Sequence, residues 1–554
     1  MQKVLTAEQM RTVDRLTTER YGIPSIILME NAAHAVARVI TEKLGGSVRG
    51  KSILILCGKG NNGGDGAAVA RLLNSEGASV KVIIFAKIEQ TKGDARTNFE
   101  RLSNVELCEA EEWYEAWEYI NREDWNGLSC VVDAVFGTGL KGFRDDLNEI
   151  IGSFPAILHF AVDIPSGLSA DDPAVQPSQY KADITVTFTT PKPANILPPA
   201  SYFNGELIVA DIGSPQELID EQPSQLYLAE KEDAAKWVEN TAFSSDSYKN
   251  KRGHALLIAG SDDYTGAAVL CGNAAIRSGV GLVTMCVPDY CKVEVASRCL
   301  PEVIVRSINE NTNGDVSDEA FDENHDVINA ADAIALGCGL SATDKGVEKF
   351  VREIVEERTK PVIIDAGALW FFNPPAGLLQ MPSGVSSPHV SKGSSETSAT
   401  STEANWPPAH AGGSDLILTP HEGEFLRLLG TDDKDVIKDR VAAVRDFATK
   451  HNVILVLKGE RVLIGAPDGR VVVNPTGNSG LGKAGNGDTL TGILAGFTAQ
   501  AVKFNIDIFE TVVAAVYVAG MAGDIAEQKY GKRVMTASDV RECLTAVFEQ
   551  LEKN

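Results

Sequence analysis

The sequence predicts two successive α/β domains, each a largely parallel sheet with helices on both faces. Three observations carry this. Short apolar runs ending in glycine or polar loops alternate with helical stretches through most of the chain. The 554 residues exceed what one hydrophobic core organises. A polar, acidic, proline-containing stretch at 214–248 separates two such series.

Residues 6–40 read as helical segments, opened by Thr6 and Gln9 at the spacing of a capping box. Residues 51–57 (KSILILC) form a strand, followed by a glycine-rich loop at 58–66 and an amphipathic stretch at 66–76. Further strands are expected at 80–86, 130–133, 157–162, 184–188 and 207–210. Each ends in a polar or glycine loop, as parallel strands feeding ligand-binding loops do. An N-terminal doubly wound domain is therefore expected at 1–213, with 214–248 as a linker holding one short element. A second α/β domain at 249–550 takes strands at 255–258, 281–287, 333–336, 362–364, 416–418 and 453–457. Within it, 374–414 is rich in Ser, Thr, Gly and Pro and reads as a disordered surface insertion.

Composition narrows the function. A net charge of -25 argues against nucleic acid as a partner, although small anions still bind at glycine loops and helix N-termini. The N-terminus lacks the basic-then-apolar pattern of a secretory signal. No run approaches the ~20 apolar residues that span a bilayer, so no membrane partner is expected. Nine cysteines, an odd number without metal-type spacing, suit small buried hydrophobes in a reducing cytoplasm.

The first candidate site is GKGNNGGDG at 58–66, between a strand and a helix. Its glycines would let backbone N–H groups approach phosphate oxygens, with a helix N-terminus adding favourable field. It is neither a Walker loop nor the usual dinucleotide fingerprint, and a tight turn is the bland alternative. Two further strand ends favour a site: Asp133 ahead of Gly137-Thr138-Gly139-Leu140, and Asp163 ahead of Ile164-Pro165-Ser166-Gly167. In open α/β sheets such loops converge outside the carboxyl ends of the strands.

With NNGGDG, FGTGL, VDIPSG and the closing ADIG, residues 1–213 resemble the YjeF N-terminal family, the NAD(P)H-hydrate epimerases, which have a Rossmann-like fold. The resemblance implies a substrate pocket lined by Asn61, Asn62, Gly63, Gly64, Asp65, Gly137, Thr138, Gly139, Leu140, Lys141, Gly142, Phe143 and Asp163. It also implies a potassium ion near Asn62, Asp133 and Ser166, oxygen donors of the kind a hard cation takes. Asp163 is the candidate acid/base group for epimerisation at C6 of the hydrated nicotinamide ring, or else a group that only positions it.

The second candidate site gathers Gly253-His254, Gly266-Ala267-Ala268, Gly337-Cys338-Gly339-Leu340, TPHEGE at 419–424 and GNGD at 485–488. Glycine amides at a helix start can cradle a transferring phosphoryl group, and an adjacent aspartate can accept a hydroxyl proton. A capping aspartate is the structural alternative, and it would leave the repeated glycines unexplained. These segments, with GAAVLCGNAAIRSGVGLVT, resemble the ribokinase-like fold and its NAD(P)H-hydrate dehydratases over about 246–550.

That resemblance implies phosphorylation of the C6 hydroxyl of the hydrate by ADP or ATP, then loss of phosphate to restore NADH or NADPH. Asp488 becomes the base. Gly485, Asn486 and Gly487 line the anion hole, and Lys458, Gly459, Glu460, Arg461 and Val462 contact the nucleotide. Ala267, Gly339, His421 and Asp488 line the hydrate pocket, with Mg2+ shielding the phosphates. Lys458 as a surface lysine and His421 as a strand-end histidine are the structural alternatives.

Beside the insertion at 374–414, which falls between Asp365 and His421, the chain departs from the pattern in two places. Asp365-Ala366-Gly367-Ala368-Leu369 has glycine where such proteins more often carry a second aspartate, and Lys483 stands beside the anion site. A fused pair fits repair chemistry: hydration gives R and S epimers, the dehydratase is expected to take only S, and an epimerase recovers the rest. The expectation is a cytoplasmic homo-oligomer acting on NADHX and NADPHX. A small-molecule kinase fused to a ligand-binding module is the rival, told apart by a stable phosphoester product.

Overall fold

The computed structural model describes residues 1–111, 113–122, 125, 127–139, 154, 157–175, 180–372 and 415–553. Leu140, Lys141, Gly142, Phe143 and the insertion at 374–414 lie outside the described residues. The chain divides into two compact units, Gln2–Leu226 and Tyr227–Asn554, the second also taking Met1.

After a two-residue strand β1 (Gln2–Lys3), the first unit opens with helix Ala7–Tyr21, whose Thr6 and Gln9 form the expected capping box. Its sheet comprises β2 (Ser52–Cys57), β3 (Ser79–Ile84), β4 (Glu106–Glu109), β5 (Leu128–Ala134), β6 (Leu158–Val162), β7 (Ile184–Phe188) and β8 (Glu206–Ala210). The order is β4-β3-β2-β5-β6-β7-β8, and every pairing is parallel. The central strand is apolar on both faces, with Ile53, Leu54, Ile55 and Leu56 fully buried, as a sheet covered by helices on each side requires. Strand order reverses between β2 and β5. Ligands of open sheets bind at that switch point, and both predicted glycine segments follow those two strands.

The segment at 214–248 does more than link. It carries helix Gln216–Asp220, strand β9 (Leu226–Leu228) and helix Lys231–Asn240. Trp237 is buried, stacks on Phe497 with ring centroids 3.8 Å apart, and donates its indole N–H to Thr511 Oγ1 at 3.2 Å. This tryptophan is part of the second unit's core, so the linker reading is corrected: charged residues on the solvent face of KEDAAKWVEN mask a short amphipathic helix.

The second unit adds β10 (His254–Ile258), β11 (Leu282–Pro288), β12 (Val303–Ile308), β13 (Ala333–Leu336), β14 (Val362–Ile364), β15 (Leu416–Leu418), β16 (Ile454–Leu457), β17 (Leu463–Gly465) and β18 (Val471–Val473). They run β9-β18-β17-β16-β15-β14-β13-β10-β11-β12, parallel from β12 to β16 and antiparallel through β17 and β18. Here the order reverses between β10 and β13. Helices Thr265–Arg277 and Asn486–Phe504 pack closely because glycine stands at the contact: a Cβ on Gly492 would lie 2.2 Å from the Cys271 carbonyl oxygen.

One helix amends the expectation about apolar length. Ile508–Tyr530 is long and apolar enough to cross a bilayer by length and composition, yet 61% of its apolar window is buried inside the fold. Burial against protein accounts for that hydrophobicity as the inner helix of a core.

Candidate functional site

The first site lies at the C-terminal ends of β2, β5, β6 and β7. Helix Asn61–Ser75 begins so soon after β2 that NNGGDG forms its first turns. A Cβ at Gly63 would stand 1.7 Å from the Gly58 carbonyl oxygen, one at Gly64 2.7 Å from Ala95 Cα, and one at Gly66 2.6 Å from the Ala134 methyl. Close packing is therefore a further need for these glycines, beside the phosphate approach expected from the sequence. They let the helix lie directly on its neighbours.

Asp133 ends β5 fully buried. Its Oδ1 accepts from the Ser166 hydroxyl at 2.5 Å and the Val135 N–H at 3.1 Å, and its Oδ2 from the Ser166 N–H at 2.7 Å. Burial pushes its pKa up to about 6, against the pull of those three donors. Asn62 is the counterpart: its side-chain oxygen and nitrogen are both buried with no partner among the described residues. A Cβ on Gly137 would be 3.1 Å from Asn62 Oδ1 and 3.2 Å from Asp163 Oδ2, so glycine there keeps the two side chains facing one space. The orphaned Asn62 amide oxygen, with the carboxylate of Asp133 and the hydroxyl of Ser166, offers the oxygen donor types that suit a hard monovalent cation.

Asp163 follows β6 in the left-handed region, at φ 67°. Its Oδ1 accepts from the Lys192 ammonium at 2.8 Å and the Thr187 hydroxyl at 3.0 Å. Lys192 is buried and also donates to Thr187 Oγ1 at 2.9 Å and the Phe188 carbonyl at 3.1 Å. Around this pair opens a cavity of about 480 Å³, reached by Asn61, Asn62, Asp65, Gly137, Thr138, Gly139 and Asp163 of the predicted set, and not by Gly63 or Gly64. Lys192 and Asp14 also line it, and the sequence reading missed both. A lysine in TTPK and an aspartate in an ordinary helix carry no local signal of burial. Desolvation raises Asp14 to about 6, with Lys192 lowering it and Asp163 raising it. It holds Asp65 well above the usual carboxylate range, with Asp163 and Asp14 adding to the effect.

The second site forms where β10, β13, β14 and β16 end. Asp488 lies in the first turn of helix Asn486–Phe504, behind an N-cap Gly485 in the left-handed region (φ 91°). Burial raises its pKa, while a hydrogen bond from the Cys338 thiol lowers it. At the end of β14, buried Asp365 accepts from Lys458 Nζ at 2.7 Å and from Thr491 Oγ1 at 2.8 Å. Burial alone would raise Asp365, but Lys458 prevails and holds it below the usual range. Burial likewise pulls the Lys458 ammonium down, and Asp365 and Glu424 push it above its ordinary value. A Cβ on Gly487 would be 3.6 Å from Lys458 Nζ and 3.7 Å from Asp365 Oδ2, so this ion pair sits against the helix start that carries Asp488.

The other predicted residues divide. Ala267 and Gly339 adjoin, with a Cβ on Gly339 only 3.0 Å from that of Ala267. His421 caps helix Glu422–Leu428: its Nδ1 accepts from the Gly423 and Glu424 N–H groups at 3.0 and 3.3 Å, leaving an exposed ring with Nε2 3.5 Å from Glu424 Oε1. Residues Lys458, Gly459, Glu460, Arg461 and Val462 form the turn of the β16–β17 hairpin, with the Arg461 guanidinium donating to the Pro475 carbonyl. Asn486 donates to the Leu481 carbonyl at 3.0 Å, and its side-chain oxygen is buried without a partner among the described residues. Thr491 is a member of the site that the sequence reading did not name, and Asp365 and Cys338 lie in segments that it named without giving them a role.

Both departures from the family pattern have a physical account. A Cβ on Gly367 would stand 2.1 Å from the Leu340 carbonyl oxygen, so this backbone leaves no room for a side chain there. Lys483 donates to the Arg533 and Met535 carbonyls at 2.6 and 2.8 Å, which absorb its charge.

Comparison with known proteins covers both units. Residues 25–194 match the family model described as YjeF-related protein N-terminus, and residues 255–388 and 402–546 match the one described as NAD(P)H-hydrate dehydratase. A bifunctional NAD(P)H-hydrate repair enzyme of Moorella thermoacetica is 36% identical over 99% of this chain and 97% of its own. One of Thermofilum pendens is 31% identical over 100% and 97%. Among solved structures, the ADP/ATP-dependent NAD(P)H-hydrate dehydratase of Bacillus subtilis, co-crystallised with ATP and Mg2+, is 28% identical and covers 59% of this chain and 99% of that one, with a TM-score of 0.44.

Proposed function

The chain belongs to the family of bifunctional NAD(P)H-hydrate repair enzymes, and from that premise we propose how its two sites divide the work. The first unit interconverts the 6R and 6S epimers of NADHX and NADPHX. The second dehydrates the 6S epimer with ADP or ATP, releasing phosphate and AMP or ADP.

In the second unit Asp488 is the general base. Its carboxylate takes the proton of the C6 hydroxyl, whose oxygen attacks the terminal phosphorus as the bond to the nucleotide's bridging oxygen breaks. The phosphate then leaves C6 as C5 loses a proton, and the C5=C6 double bond of the dihydronicotinamide returns. N–H groups at Gly485, Asn486 and Gly487 face the charge that develops. The observation that carries this reading is the placement of Asp488 in the first turn of helix Asn486–Phe504, whose start at Gly487 lies against the Asp365–Lys458 pair. The proton affinity of Asp488 is lifted by burial, as a base working near neutrality needs.

Among the described residues no group of three His, Cys, Asp or Glu side chains gathers to hold a metal. Magnesium therefore enters as the companion of the nucleotide phosphates, a role in which it keeps most of its own water. In the first unit, Asn62, Asp133 and Ser166 would hold potassium, which supplies a fixed positive charge beside the hydrate. The reading extends to a cytoplasmic location, which nine unpaired cysteines suit.

The test follows the return of NADH absorbance from mixed R and S NADHX with potassium, magnesium and either nucleotide. Wild type is expected to recover the whole pool, Asp163→Asn to stop near the S fraction, and Asp488→Asn to recover none. Absence of NADH from wild type with both nucleotides would sink the dehydratase assignment, and a stable phosphoester would put a kinase in its place.

A further inference from the structure

Four carboxyl groups line the cavity of the first unit, Asp14, Asp65, Asp94 and Asp163, and its geometry gives three of them different tasks. Asp163 has one oxygen fixed by Lys192 and Thr187, the arrangement of a group that orients. Asp14 comes from helix Ala7–Tyr21, which carries no glycine motif, and lines the same cavity. Its Oδ1 is buried with no hydrogen-bond partner among the described residues. Asp65 lines the cavity from helix Asn61–Ser75.

We infer that Asp14 is the general base of epimerisation and Asp65 its general acid, with the Lys192–Asp163 pair positioning the hydrate between them. This rests on the reading of the first unit as the epimerase. C6 of the hydrate bears both a hydroxyl and ring nitrogen N1. Asp14 takes the hydroxyl proton, the C6–N1 bond breaks, and C6 becomes an aldehyde. The electron pair passes to N1, conjugated through C2=C3 with the carboxamide, and N1 takes a proton from the Asp65 carboxyl. Rotation about C5–C6 presents the other carbonyl face. N1 then returns its proton to Asp65 as it closes on C6, and the new oxyanion recovers the proton held by Asp14.

The proton affinities agree with this division. Burial pushes Asp14 up to about 6, whereas it holds Asp65 well above the usual carboxylate range, with Asp163 and Asp14 adding to the effect. Paired environments that push two carboxyl groups apart are how one pocket runs both acid and base chemistry. Besides Asp163 and Lys192, the titratable groups that line the cavity with Asp14 are Arg11, Lys59, Asp65 and Asp94.

The experiment measures R-to-S exchange of NADHX without nucleotide, by chromatography against an enzyme-free blank, from pH 5 to 9. Wild-type exchange is expected to fall below pH about 6. Asp14→Asn is expected to slow it by about 100-fold or more, in line with loss of a general base, and to remove that acidic limb while hydrate affinity is little changed. Dehydration of the S epimer by the same variant reports an intact second unit, and calorimetric unfolding of the first unit reports its fold. Asp14→Glu keeps the carboxyl, and should recover part of the rate with a displaced limb. An Asp14→Asn variant that keeps the wild-type rate, or either variant with the limb unmoved, overturns the inference. Wild type that exchanges no epimers would instead overturn the epimerase reading.

Discussion

Replacing Lys458 with methionine separates two roles that the sequence could not tell apart. The structure pairs its ammonium with Asp365 at 2.7 Å, with side-chain exposures of 20% and 2%. At an effective dielectric constant of about 20, two unit charges at that distance attract by roughly 6 kcal/mol before desolvation is counted. Removing one partner of a buried pair leaves the other charge stranded, and about 3–5 kcal/mol of stability is the expected loss at pH 7. Asp365 sits below its ordinary range in the wild type. Its contribution is therefore present above the unfolded value of about 4 and disappears as pH falls through the folded one, so wild type and variant should converge in acid. Lys458→Met combined with Asp365→Asn should recover much of the loss, since neither charge is then buried alone. Hydrogen exchange of β14 and β16 in intact protein, read against urea, gives the local unfolding free energies, and nucleotide KM is measured alongside. A loss below about 1 kcal/mol in the single variant, with KM for nucleotide raised, would refute the structural pairing and leave Lys458 as a phosphate contact alone.

Three further outcomes are expected. Asp14→Asn should stabilise the first unit at pH 8 by up to about 3 kcal/mol, because burial lifts the carboxyl from 3.8 to about 6 and ionising it in the fold is unfavourable. The sign is that of a raised carboxyl: its stability is fully present below the unfolded value and lost as pH rises through the folded one. The gain should thus fade below pH 6 and vanish near 4, as calorimetric Tm values at the two extremes would read. Trp237→Ala should cost about 3–5 kcal/mol in urea unfolding of the second unit; a residue in a mere linker would cost nothing measurable. Gly367→Ala should destabilise the loop after β14 by about 1–3 kcal/mol and lower dehydratase kcat/KM, and an unchanged Tm would show that the Leu340 carbonyl yields freely.

Two series of apolar runs, the Thr6–Gln9 cap and the position of Asp488 at a helix start were legible in the sequence, because each depends on residues a few places apart. Strand ends carrying Asp133 and Asp163 were legible for the same reason, and the rule that parallel strands release their loops at one edge brought them together. Other elements were hidden by composition. The edge strand β4 begins and ends in glutamate, and the helix carrying Trp237 is mostly charged. The glycines of NNGGDG were recognised as needed, but their packing role was not, since only the packed structure shows which carbonyl or methyl a side chain would strike.

The parts played by Lys192, Asp14 and Asp365 were beyond the sequence. What makes each chemically distinct is lost water and neighbours from elsewhere in the chain: Asp163 lies 29 residues from Lys192, and Lys458 lies 93 from Asp365. Backbone preference is set by neighbours in sequence and can be read there. Proton affinity is set by neighbours in space, and only the tertiary structure decides who they are.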